Sequence, residues 1–193
     1  MTEIKKKSQV LIALGANVPP EGGALSDTLD RALQLLDGID ETALVRSSRW
    51  YRTPAYPPGS GPDFLNGAAL LESLLAPEAM LAALHDVETR LGRERPTRWA
   101  PRTCDLDMTA YGDLILPDRE TLARWMALDL GKAQSLVPPR LILPHPRMHE
   151  RGFVLVPLAE IAPGWRHPAL GLTAAEMCDG LPVNERAAIR PLS

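Results

Sequence analysis

The strongest constraint on this chain is the order in which its hydrophobic period changes. VLIALG at 10–15 is a short aliphatic run closed by Gly15 and Asn17, of strand length rather than helix length. Leu25, Leu29, Ala32, Leu33 and Leu36 then recur at helical spacing, which predicts a first helix over 25–36 that ends at Gly38. ALVRSSRWYRT and DFLNGAALLES are strand-like, and the Pro- and Gly-rich stretch at 54–62 between them is a loop. Pro77 occupies a first-turn position, and Leu81, Leu84, Val87 and Leu91 form the apolar stripe of a second helix that stops at Gly92. TCDLDMTAYG alternates. GFVLVPL reads as a last strand, reached from LILPHPRMHERG through a Pro-bounded turn. The order β-α-β-β-α-β-β points to an α+β sandwich, a mainly antiparallel sheet with helices on its faces, rather than to a doubly wound parallel sheet.

At 193 residues the chain reads as a single domain over 1–193, with its own helical periodicity at Leu122, Trp125 and Leu128 in a segment at 117–139. A net charge of −3 gives no general attraction to nucleic acid or to an anionic membrane, so any basic site is local. Cys104 and Cys178 lie too far apart in sequence to indicate a disulfide framework or a zinc site. Lys5, Lys6 and Lys7 precede an apolar run too short for a signal peptide, and no stretch approaches the ~20 apolar residues of a membrane span. The cytoplasm is the expected compartment.

RWAPRTCDLDM sets Asp105 and Asp107 one residue apart in a strand. Alternation points both carboxylates to one face, with Cα atoms about 6.6 Å apart, and turns Cys104, Leu106 and Met108 into the core. Two anions on a half-covered face need protonation of one, an arginine, or a cation, and hard cations such as Mg2+ prefer carboxylate and phosphate oxygens. Alternatively the pair does no more than solvate the sheet. Arg93, Arg95, Arg98 and Arg102 crowd the adjoining loop, and arginine clamps phosphate bidentately. His145, held between Pro144 and Pro146, and Arg151 add two more phosphate-binding candidates. Neither GANVPPEGG nor any other stretch completes a Gly-Lys-Ser/Thr phosphate loop, so a bound nucleotide would be held without one. Phe64 and Phe153 could stack on a flat heterocycle, and Asn66, an amide inside an apolar strand, could bond its edge.

Taken together, ALGAN, SSRWYRTPAY with DFLN, LGRER, RWAPRTCDLDM and LPHPRMHERGFVLVPLAEIAP resemble the 6-hydroxymethyl-7,8-dihydropterin pyrophosphokinase family of folate biosynthesis, over most of the chain to about Pro163. The resemblance implies a ferredoxin-like α+β fold and transfer of the β,γ-pyrophosphoryl unit of ATP to the pterin hydroxymethyl group, releasing AMP. It implies two Mg2+ held by Asp105 and Asp107, and catalytic and ATP-phosphate residues at Arg93, Arg102, His145 and Arg151. Glu88, Arg95, Trp99, Met108 and Arg140 match the rest of the nucleotide site, and Gly15, Thr53, Pro54, Tyr56, Phe64, Asn66 and Phe153 match the pterin slot. The expected partners are these small molecules alone, with no nucleic acid and no membrane, and the expected state is a monomer or weak homodimer. The length leaves no room for a further folate-pathway domain.

The chain departs from the family pattern at His85 and Ile142, where some members carry glutamine and threonine, and in the long segment at 117–139. That segment reads either as a surface helix capping a sheet edge or as a lid or oligomer contact. Another metal-dependent phosphoryl enzyme is the alternative class. An RNA-binding ferredoxin-like module is disfavoured by two aspartates on the sheet face and a negative net charge.

Overall fold

A computed structural model describes residues 6–55, 61–92, 103–129, 131 and 136–192. Within them a sheet of six strands is built from β1 (Ser8–Ala16), β2 (Thr42–Ser47), β3 (Tyr51–Thr53), β4 (Phe64–Ser73), β5 (Asp105–Tyr111) and the short β6 (Arg190–Pro191). The order is β5-β1-β4-β3-β6, with β2 pairing the other half of β4, and every pairing is antiparallel. β1 and β4 are central. This explains their long apolar runs, because each is covered on both faces.

One face packs on α1 (Leu25–Asp37) and α2 (Pro77–Arg90). Val10, Ile12 and Leu14 of β1, Ala69 and Leu71 of β4, and Leu106 and Met108 of β5 meet Leu29, Ala32 and Leu36 of α1 and Met80, Leu84 and Val87 of α2. The predicted helices match these spans to within a few residues. α3 (Arg119–Met126) is the helix expected in the long segment at 117–139. It starts where the Asp118 carboxylate accepts from the Thr121 N–H at 2.8 Å, buries Leu122, and ties to the 165–173 turn through Arg119 Nη1 and the Pro168 carbonyl at 3.3 Å. Leu116 and Leu143 exchange backbone hydrogen bonds at 2.9 and 3.1 Å and pinch the base of this excursion shut.

The second face corrects one reading. GFVLVPL is not a strand but most of α4 (Gly152–Ile161). An apolar run this short carries no decisive period, and its valines mimic a buried strand. In the fold, Val154, Leu158 and Ile161 form the helical stripe that packs on Leu11, Ala68, Leu70 and Ala110. α5 (Ala174–Asp179) and α6 (Val183–Ala188) follow, and β6 closes the far sheet edge; none of the three was foreseen.

Between Leu11 and Ile12 the β1–β5 register shifts, so that Leu11 faces Ala110 while Ile12 faces Met108. Thr109 is the extra residue of this bulge, and its hydroxyl donates to the Leu11 carbonyl at 2.9 Å. The bulge inverts parity along β5. Past it Ala110 faces α4 and Tyr111 the other helices; before it Asp105 and Asp107 face α4.

Candidate functional site

Cross-strand register places the sequence candidates in one row. Asp105 lies opposite Gly15, Gly15 opposite Asn66, and Asn66 opposite Tyr51. The next row sets Asp107 beside Ala13 and Ala13 beside Ala68. All point to the α4 side, because Ala13 and Ala68 belong to the core beneath that helix. Both aspartates are half-buried, and their neighbours on β1 carry little or no side chain, which leaves the carboxylates open toward α4.

Gly15 is required by a close approach. A Cβ there would stand 2.6 Å from Asn66 Oδ1, inside van der Waals contact. Asn66 is 6% exposed, and its Nδ2 donates to Thr53 Oγ1 at 2.6 Å, which fixes the amide so that Oδ1 points toward Gly15. Phe64 sits across from Thr53 and is half-buried. Phe153, in the first turn of α4, is 38% exposed rather than packed in the core. Pro54 is exposed beside this slot.

On the other side of the aspartates, the His145 N–H donates to the bulged Thr109 carbonyl at 2.8 Å, and its Nδ1 accepts from the Arg147 N–H at 3.2 Å. The neutral ring then carries its proton on Nε2. Burial, followed by the charge of Arg151, pushes the imidazole pKa down to about 3, so the ring is neutral at pH 7. Arg147 is committed to Glu150 at 2.5 Å. Arg151 precedes α4 with its guanidinium 5.7 Å from the Phe153 ring centre. Burial lowers its pKa and the carboxylates of Asp107 and Asp105 raise it, so the guanidinium lies within the electrostatic reach of both aspartates.

Glu88 and Met108 are placed behind this face rather than on it. Glu88 is 2% exposed in α2, and its carboxylate accepts from the Leu106 N–H at 2.8 Å, which anchors the start of β5. The Met108 side chain is buried among α1 and α2 residues. Arg140 and His85 are exposed, and Ile142 is buried. Tyr56, Arg93, Arg95, Arg98, Trp99 and Arg102 lie outside the described residues. Two contributors escaped the sequence reading. Gly152 donates to Glu185 Oε1 at 2.8 Å, and a Cβ there would meet Ile189 Cδ1 at 2.7 Å, so the C-terminal segment seals the start of α4. Glu160 accepts from the Tyr51 hydroxyl at 2.6 Å, and its only sequence signal is a lone charge in VLVPLAEIA.

Among the described residues no three His, Cys, Asp or Glu side chains gather in a metal-binding group. The donor set is a pair of carboxylates. It fits Mg2+, which is commonly held by one or two carboxylates with water and substrate phosphates completing its shell.

An antiparallel α+β sandwich with two carboxylates, an arginine and a neutral histidine beside a buried amide is built for an enzyme that handles phosphate next to a flat polar substrate. The family model of 7,8-dihydro-6-hydroxymethylpterin-pyrophosphokinase matches residues 11–163. A 2-amino-4-hydroxy-6-hydroxymethyldihydropteridine pyrophosphokinase of Synechocystis is 36% identical over 169 residues, covering 88% of this chain and 74% of the relative. The Pseudomonas aeruginosa protein of the same name is 37% identical over 160 residues, covering 83% and 84%. Crystal structures of Plasmodium falciparum HPPK-DHPS share the fold, with a TM-score of 0.64 at 14% identity for the wild type; the match covers 92% of this chain and 45% of that one, so the chain spans under half its length. The chain belongs to the 7,8-dihydro-6-hydroxymethylpterin-pyrophosphokinase family. Its activity is that of a pyrophosphokinase, a transferase of folate biosynthesis with ATP as co-substrate. No helix among the described residues is long and apolar enough to cross a membrane.

Proposed function

We propose that this chain moves the β,γ-pyrophosphoryl unit of ATP to the hydroxymethyl group of 6-hydroxymethyl-7,8-dihydropterin on the α4-covered face of the sheet, leaving AMP. The adjacency of Asp105, Gly15 and Asn66 in one cross-strand row carries the reading, because it sets a phosphate-handling position beside a heterocycle slot. Asn66 bonds the pterin edge, Thr53 orients that amide, and Phe64 and Phe153 offer ring faces; Pro54 and Tyr56 complete the slot. Arg151 and His145 bind phosphate oxygens, His145 as a neutral Nε2–H donor, with Arg93 and Arg102 as further phosphate ligands. Arg95, Trp99 and Arg140 contact the rest of the nucleotide. Met108 contributes through its main chain, since its side chain is buried, and Glu88 acts by holding β5 in place.

Asp105 and Asp107 would hold two Mg2+, whose contribution is to neutralise triphosphate charge and polarise the bond being broken. Phosphoryl transfer depends chiefly on alignment and charge neutralisation, so no side chain is assigned as general base. A cytoplasmic monomer or weak homodimer is the expected state, and Cys104 and Cys178, which are not joined in a disulfide, suit a reducing compartment. The test is to supply ATP, Mg2+ and the pterin together and singly. AMP formed only when the pterin is present supports the assignment, whereas pterin-independent AMP or pyrophosphate release points to another phosphoryl enzyme.

A further inference from the structure

α4 covers the face proposed for the reaction, lying chiefly over β4 with β1 and β3 to either side. Its start is tied to the C-terminal segment through Gly152 and Glu185, and its end is fastened to β3. The fastening is Glu160. Its Oε2 accepts from the Tyr51 hydroxyl at 2.6 Å and from the Arg49 N–H at 3.4 Å, and its Oε1 accepts from Arg49 Nε at 3.1 Å. The Arg49 guanidinium also stands 5.7 Å from the Tyr51 ring centre.

Both partners bear on the pterin slot. Tyr51 is 4% exposed and lies directly across from Asn66. Glu160 is seven residues from Phe153, two helical turns along the same side of α4. Between them stands Pro157, which has no N–H to give the Phe153 carbonyl, so the turn bearing Phe153 lacks one of the bonds that would fix it from within the helix. Its position therefore depends on anchors outside.

We propose that Glu160, through Tyr51, is a positioning residue for the pterin: it pins the end of α4 to β3 and so fixes where the helix presents the Phe153 ring to the slot of Asn66 and Phe64. Glu160 touches neither substrate. The proposal rests on the reading of Asn66 and Phe153 as pterin residues.

The experiment measures KM for each substrate, kcat, and thermal midpoints for Tyr51→Phe, Glu160→Ala and Glu160→Gln, with Phe153→Ala and Asn66→Ala as references. Tyr51→Phe and Glu160→Ala are expected to raise the pterin KM by roughly five- to tenfold, with the ATP KM and kcat within about twofold of the parent. Glu160→Gln keeps an acceptor for the Tyr51 hydroxyl and should restore the pterin KM to near the parent value. Parallel rises in both KM values, or a Glu160→Gln variant as poor as Glu160→Ala, would reduce the contact to general stabilisation and overturn the proposal. Tyr51→Phe is the mild variant should Glu160→Ala fold poorly. If Phe153→Ala and Asn66→Ala leave the pterin KM unchanged, the slot itself is misplaced and the clamp falls with it. If those two raise it while Tyr51→Phe does not, the clamp alone fails.

Discussion

The two faces of the sheet use the same strands for opposite purposes. On the α1/α2 side, Val10, Ile12, Leu14, Leu106 and Met108 are almost fully buried, and the face is an apolar contact broken chiefly by the Glu88 carboxylate at the start of β5. On the α4 side, alternate residues of the same strands are Asp105, Asp107, Gly15 and Asn66, and the covering helix leaves Phe153 exposed at its start. Because side chains alternate, the apolar face sets the register of the polar one: a one-residue slip would bury the aspartates and expose the leucines. The candidate site is thus held in register by the packing of the opposite face, and the Thr109 bulge restores an apolar face to α4 just beyond the carboxylates.

If the faces divide chemistry from stability, their variants should divide likewise. Asp107→Ala, and equally Asp105→Ala, should cut kcat by about a thousandfold or more while the thermal midpoint moves by about 2 °C or less, since the carboxylates bear no core packing. Near-normal turnover in both would break the comparison at its functional end. On the opposite face, Leu36→Ala removes a fully buried side chain and should cost about 2–5 kcal/mol in urea unfolding, with kcat per folded molecule unchanged. A large fall in kcat at full folding would show that the apolar face does more than support.

The difference between the faces also accounts for what could be read in advance. Long-period and alternating patterns at Leu29, Leu36, Leu84 and Leu106 gave α1, α2 and β5, because each element there has one dry side and one wet side. The D-x-D geometry followed from strand parity alone. α4 was misread because both its sides are apolar over GFVLVP, so neither period stands out. The partnership of Tyr51 with Glu160 spans 109 positions, and that of Gly152 with Glu185 spans 33; local pattern carries no trace of such pairs. Met108, matched to the nucleotide by resemblance, faces the core as strand alternation requires, whereas the burial of Glu88 is something a motif match alone does not give.

A smaller effect sharpens the functional face. Gly15→Ala would drive a methyl group against Asn66 Oδ1 and turn the amide away from its Thr53 bond. The pterin KM should rise roughly tenfold, with the ATP KM little changed and a stability loss of about 1–2 kcal/mol. Equal rises for both substrates would mean that the row is not divided between a phosphate end and a heterocycle end.

The last contrast is in acid. The histidines with depressed pKa values, His145, His149 and His167, all belong to the segment at 145–167 that begins and ends around α4, so acid should loosen that side first. His167 is fully buried; burial, and then nearby His149, lower its pKa to about 4. Its Nδ1 accepts from the N–H groups of Ala169 and Leu170, each at 3.2 Å, and a protonated ring could accept neither. The unfolded chain, with histidine near 6.5, binds more protons than the folded chain between those values, so this stability is complete above about pH 6.5 and is lost as the pH falls toward 4. The loss should be on the order of 2 kcal/mol by pH 4, read as falling urea midpoints at pH 7.5, 6, 5 and 4. In His167→Asn the side-chain oxygen can take over the acceptor role of Nδ1 without titrating. That variant should remain close to the parent at pH 7.5 and show a shallower decline below pH 6.5, whereas an unchanged slope would move the acid sensitivity away from this turn.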